Sequence, residues 1–138
     1  ETIIALFIAV VLIAAILAST VLAARLFTEA KAYTNATNII NQQVENLRTL
    51  GFTQLKAQLG VPTDGSEAVT PSPAITLSVG SQRFTVTRTA RLVKNKTGGA
   101  INTDLVEMTV NVSWSSVGRT HSTSSQTYFS AFGFAAQP

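Results

Sequence analysis

The chain opens on a run in which polar positions nearly vanish. Ile3 to Ala24 reads IIALFIAVVLIAAILASTVLAA, and no charged residue, proline or glycine stands between Glu1 and Arg25. An α-helix rises about 1.5 Å per residue, so this run spans roughly 33 Å, close to the hydrocarbon thickness of a bilayer. Ser19 and Thr20 are its only polar side chains, and each can donate to a carbonyl of the preceding turn, which suits an apolar setting. A helix that is apolar all round must be covered on every side, by lipid or by other helices.

Beyond Leu22 the pattern becomes amphipathic. Leu22, Leu26, Tyr33, Ala36, Ile40, Val44 and Leu47 recur at helical spacing, while Arg25, Glu29, Lys31, Asn35, Asn38, Gln42, Glu45 and Arg48 mostly fall elsewhere on the wheel. Glu29 has no lysine four residues on, so packing of the apolar stripe is expected to sustain this half rather than ion pairs. Gly51 supplies a helix end, with Phe52 placed to fold back on the last turn. The expectation is one helix over 1–52, about fifty residues and roughly 75 Å long. Its apolar half covers 1–24 and its amphipathic half 25–52.

The period then changes. Gly60 to Pro73 holds three of the four prolines and reads as a connecting loop. Ala74–Val79 is a short strand. Arg83–Val93 alternates through Phe84 and Val86, then less cleanly through Ala90 and Leu92. Asp104–Ser113 alternates Val106, Met108, Val110 and Val112, and Trp114 continues that face. Thr120–Phe129 is rich in serine and threonine, with Tyr128, Phe129, Phe132 and Phe134 around its end. Turn-like breaks fall at Gly80-Ser81, Lys96–Gly99 and Ser115–Gly118. Short connections imply antiparallel neighbours. The expected fold is therefore α+β, a long N-terminal helix packed on a four-stranded antiparallel sheet, with the head over 53–138 set against the amphipathic half. The sheet's apolar face needs a cover, and that half-helix is the element available to supply it.

Composition narrows the function more than it alters the fold. The net charge is +3, from ten basic residues scattered over the whole length. No Lys/Arg stripe forms, so no specific nucleic-acid site is expected. The chain has no cysteine, which excludes thiolate metal sites, a thiol nucleophile and a disulfide framework. His121 is the single histidine, too few for a histidine metal cluster or a conventional triad, and it reads as a surface residue on a strand or turn. Asp104 and Glu107 fall on opposite faces of their strand. Asp64 and Glu67 share a loop, but two acids make a weak calcium site. No glycine-rich phosphate loop appears. No catalytic residue, metal or cofactor is expected, and the chain does not read as an enzyme. Asn35-Ala36-Thr37, Asn95-Lys96-Thr97 and Asn111-Val112-Ser113 match the glycosylation sequon, a pattern that arises by chance in a threonine-rich chain. The hydroxyl-rich stretch Ser113 to Ser130 reads as an exposed strand before it reads as an O-glycosylated segment.

Glu1-Thr2-Ile3-Ile4-Ala5-Leu6-Phe7-Ile8-Ala9 resembles the segment of type IV pilins and pseudopilins in which an acidic residue heads about twenty apolar ones. In that family this segment lies just beyond the prepilin peptidase site. A long helix followed by an antiparallel sheet is also that family's architecture. The resemblance implies a subunit held in the bacterial inner membrane before assembly. Prepilin peptidase and the pilus assembly machinery then handle it, and it becomes part of a homopolymeric helical filament, a fimbrium, at the cell surface. It implies a methylated residue at a processed amino terminus a little ahead of the glutamate. Glu1 would pair with that terminus, on its own or a neighbouring chain. A carboxylate beside apolar helix is costly to bury unless paired, so such a pair would disfavour wrong axial registers. On this reading Leu6, Phe7, Val10, Leu12, Ile13 and Leu17 are filament-core contacts, and Glu1 sets assembly. Many pilins carry glycine and proline within the apolar helix and a C-terminal disulfide; this chain has neither feature. Its helix is expected to run unbroken and its head to be held by packing.

The different-class alternative is a membrane-anchored extracytoplasmic binding module that never polymerises, with Glu1 solvated at the interface. Within the filament class, a major pilin, a minor pilin and a pseudopilin of a secretion or DNA-uptake system remain open. Arg25 and Lys31 alone would favour a cytoplasmic head, whereas a basic leader ahead of Glu1 would reverse that orientation.

Overall fold

The computed structural model describes residues 2–62, 69–94, 101–116 and 118–132. Glu1, Asp64, Glu67, Asn95, the Lys96–Gly99 turn and Phe134 lie outside them. Helix α1 runs unbroken over Thr2–Arg48, and a second helix, α2, follows over Phe52–Leu59. Five strands come next: β1 (Thr70–Pro71), β2 (Ile75–Val79), β3 (Gln82–Lys94), β4 (Ile101–Ser116) and β5 (Arg119–Ser130). All pair antiparallel in one sheet of order β1-β3-β4-β5. The short strands β1 and β2 share the outer edge of β3, β1 opposite Thr89 and Ala90, β2 opposite Gln82 to Val86. The sheet is thus four strands wide, and the architecture is the expected long helix packed on an antiparallel sheet. The chain divides into two compact units, Glu1–Thr34 and Asn35–Pro138.

Two-residue connections fix the registers. Val79 pairs with Gln82 across Gly80-Ser81, and Gly80 has φ 63°. A hairpin that matches strand twist needs positive φ at its first central residue, where glycine is unstrained. Ser116 pairs with Arg119 across the next such connection.

Alternation selects the core of the second unit. Phe84, Val86, Ala90 and Leu92 of β3 face Trp114, Val112, Met108 and Val106 of β4, and all eight are buried. The imperfect alternation in β3 has a cause: Arg88, opposite Val110, takes an inward position in the apolar row. Its Nε is buried with no hydrogen-bond partner among the described residues. Ala36, Ile39, Ile40, Val44 and Leu47 of α1 are buried as well. On β5 only Phe129 is buried; Thr123 and Thr127 lie half-buried beside it on the same face, and Ser125 is exposed there.

Two expectations about the helix need correction. The amphipathic stripe was expected to begin at Leu22, but Leu22, Leu26 and Tyr33 are exposed, and the buried stripe consists of Ala32, Ala36, Ile39, Ile40, Val44 and Leu47. Periodicity marks which side chains share a helix face, not how far along the helix a cover extends. The helix also does not reach 52. It ends at Arg48, where Thr49 N–H bonds the Glu45 carbonyl and Leu50 N–H the Leu47 carbonyl. Gly51 then adopts an extended conformation (φ −63°, ψ 149°) as the N-cap of α2, and its carbonyl accepts the Leu55 N–H at 2.9 Å. Helix α2 closes at Gly60 in the left-handed region (φ 65°), where Gly60 N–H bonds Ala57 O and Val61 N–H bonds Lys56 O. That pair of bonds is a Schellman closure, which satisfies the last carbonyls and needs a residue tolerant of positive φ. The helix is held by Leu55 and Leu59, both buried, with Val61 buried just beyond it.

Candidate anchoring and assembly surface

The first unit carries the surface on which the sequence reading rests. Its helix is long and apolar enough to cross a membrane, and the window that meets that test has none of its residues buried. Leu6 is 70% exposed and Phe7 69%. Ile3, Ile4, Ile8, Val10, Val11, Leu12, Ile13, Ile16 and Leu17 are exposed alongside them. More than half of the positions from Ile3 to Ala24 are Leu, Ile, Val or Phe. Each is worth about −0.3 to −0.6 kcal/mol at the centre of an inserted helix, so the composition of the run is compatible with membrane insertion.

Polarity inside the run is muffled locally. Ser19 Oγ and Thr20 Oγ1 both donate to the Ile16 carbonyl at 2.9 Å. Thr28 does the same to Ala24 at 3.0 Å, and Thr34 to Ala30. A hydroxyl already bonded to its own helix asks nothing of lipid or of a neighbouring helix.

Helix geometry sorts the six predicted contact residues. At about 100° per residue, Leu6, Val10, Ile13 and Leu17 fall within roughly 60° of one another and make a single stripe. Phe7 flanks that stripe, and Leu12 lies on the far side. One stripe and two outliers allow neighbours on more than one side, as a helix apolar all round requires. Glu1 lies outside the described residues.

In the second unit the outward face of the sheet holds one polar network the sequence reading did not anticipate. Arg91 and Glu107 are cross-strand partners. Arg91 Nε lies 2.7 Å from Glu107 Oε1 and Nη2 lies 3.0 Å from Oε2, a two-pronged ion pair. Tyr128, next across on β5, donates to Glu107 Oε2 at 3.2 Å, and Gln126 Nε2 donates to the Tyr128 hydroxyl at 3.2 Å. The hydrogen bonds from Arg91 are the chief reason the Glu107 carboxyl titrates below its ordinary range, against the opposing pull of partial burial. Desolvation, followed by the Glu107 charge, raises the Tyr128 phenol. Glu107 is thus committed to a structural pair, consistent with its lying on the face opposite Asp104.

His121 departs from the surface role expected of it. It sits opposite Trp114 on the inward face and stacks on that ring at 5.7 Å with planes 16° apart. Its Nε2 is buried without a hydrogen-bond partner among the described residues. No group of three or more His, Cys, Asp or Glu able to hold a metal is found among the described residues. An open cleft of about 210 Å³ lies where the end of α1 and the start of α2 approach the end of β5, lined by Leu50, Phe52, Leu55 and Phe129 among others. Small-molecule sites usually occupy about 300–1,000 Å³.

The register that brings Arg91, Glu107 and Tyr128 together spans three strands, and no local spacing announces it. Helix α2 did leave a signal: Leu55 and Leu59 stand four apart, with Gly60 closing the run.

Comparison of the chain with family models, with curated proteins and with solved structures finds no match.

Proposed function

We propose that this chain is a structural subunit of an extracellular type IV pilus-like filament, anchored in the inner membrane before assembly and polymerised through its apolar N-terminal helix. The observation that carries the reading is one continuous helix with two different covers. The Thr2–Arg48 helix exposes large apolar side chains on all sides of its first half and buries Ala36, Ile39, Ile40, Val44 and Leu47 further on. Such a first half can exchange lipid for neighbouring helices without exposing apolar surface to water. Repeated head-to-tail contacts of that kind build an open helical polymer. The Leu6–Val10–Ile13–Leu17 stripe is the principal contact, with Phe7 and Leu12 meeting further neighbours. Glu1 pairs with the processed amino terminus and sets axial register. Within this reading the chain has a mechanical role and no catalytic one.

The test is electron microscopy of filaments sheared from cells, with mass spectrometry of their subunits. Thin filaments built from this chain support the reading. A chain found wholly in the membrane fraction, never in filaments, overturns it in favour of an anchored binding module. Glu1→Ala sharpens the test: filament yield should collapse while the head unfolds at an unchanged temperature. Normal filaments at normal yield from that variant would remove Glu1 from the mechanism.

A further inference from the structure

The two edges of the sheet are built differently. The β3 edge is occupied by two short strands, β1 and β2, and Pro71 and Pro73 lie in or beside them. Prolines and short edge strands are devices that prevent another strand from adding. Among the described residues the β5 edge has none of them. It runs over Arg119–Ser130 with no proline and no lysine, and its pairing with β4 is continuous, without a bulge.

Backbone parity shows what that edge presents. The Ala131 N–H bonds the Asp104 carbonyl at 2.9 Å, and Leu105 opposes Ser130, so Asp104 and Ala131 form a hydrogen-bonded pair. Such pairs alternate along an antiparallel ladder. Odd-numbered residues of β5 therefore turn their N–H and C=O towards β4. Thr120, Ser122, Ser124, Gln126, Tyr128 and Ser130 turn theirs outward, where no backbone partner occurs among the described residues.

We propose that this edge pairs antiparallel with β5 of a second copy of the chain, about a two-fold axis through Ser125. Parity restricts the choice, because outward residues must oppose outward residues. With Ser125 on the axis, Thr120 opposes Ser130, Ser122 opposes Tyr128, and Ser124 opposes Gln126. Thr123 opposes Thr127 and His121 opposes Phe129. The register uses the full length of the strand, sets hydroxyl side chains against one another, and places Arg119 opposite Ala131 of the other copy. No like charges meet across it, as a cross-strand pairing requires. Adding β5 to the opposite edge of a second head would instead meet the prolines. Corresponding side chains stay on corresponding faces, so the two sheets become one.

The pairing goes beyond the filament reading and does not depend on it. A head-to-tail polymer has no two-fold axis of this kind, so in filaments the contact joins subunits of two separate fibres.

The absence of native cysteine makes the test clean. Ser125 on the axis faces its own copy as a non-hydrogen-bonded pair, with Cα atoms about 4.5 Å apart, within disulfide range. In purified full-length chain in detergent, S125C under mild oxidation should form a disulfide dimer linked 125 to 125 by mass spectrometry. S122C, six residues from its own copy in this register, should stay monomeric. S124P in the S125C background removes one outward N–H and should abolish the dimer while the circular dichroism of the head is retained. Folded S125C that stays monomeric, or equal dimer from S122C, overturns the pairing. Dimer without any cellular filaments would leave this pairing standing and sink only the polymer.

Discussion

Phe27 and Phe84 are the same residue type in two regions of one chain, and their surroundings are opposite. Phe27, on α1 in the first unit, is 77% exposed; Phe84, on β3 in the second, is fully buried. The second unit completes its own core, closing β3 and β4 under the later part of α1. The first unit completes nothing by itself. Its large apolar side chains stay exposed, and on the proposed reading lipid or neighbouring helices cover them. Stability and assembly should therefore be separable by mutation along a single continuous helix and the sheet that follows it.

The largest effect should come from the self-sufficient region. Phe84→Ala removes a fully buried ring and should destabilise the head by about 3–5 kcal/mol, read as a lowered denaturant midpoint, while membrane partition of the chain is unaltered. A variant with an unchanged midpoint would mean that the β3–β4 face is not the core.

Ile13→Arg is the counterpart in the other region. An arginine at the centre of an inserted helix costs about 3 kcal/mol. Membrane insertion and filament yield should fall, while the head unfolds at the wild-type temperature. Normal filaments from this variant would break the division drawn between the two regions.

A smaller effect belongs to the outward face of the head. The Glu107 side chain is 12% exposed, but its partner Arg91 is 49% exposed, so solvent screening limits the pair to about 1 kcal/mol. The folded-state value for Glu107 lies below its ordinary one, near 4.5. Its contribution is therefore present above that ordinary value and is lost as pH falls through the lower, folded one. Glu107→Gln should reduce stability at neutral pH and flatten the acid limb of the stability profile. An acid limb identical to wild type would remove Glu107 from acid unfolding.

Phe27→Ala should produce the smallest effect on the head, within about 0.5 kcal/mol. A larger loss would show that the exposed half of α1 contributes to folding.

Much of this contrast is legible along the chain. Ile3–Ala24 declares its need for an outside cover because no face of it is polar. The alternation through Phe84, Val86, Val106, Met108, Val110 and Val112 identifies the inner face of the sheet, and Gly80-Ser81 marks a hairpin at the observed place. Other features escaped because they are products of register or of helix closure. The Arg91–Glu107–Tyr128 network joins residues from three strands. His121 looks like a solitary surface group until its register sets it on Trp114. Helix α2 is only eight residues long, and its two leucines lie between the expected end of the long helix and the loop expected from Gly60, where no element was anticipated.

The sequence by itself determined the unbroken apolar helix, the sheet's alternating face and the lack of cysteine chemistry, because each follows from local periodicity or composition. Tertiary structure decided where burial along α1 begins, which carboxylate finds an arginine, and which edge of the sheet lacks a strand partner among the described residues. Those outcomes depend on register and on the length of chain that meets a partner surface, and neither is encoded at a single position.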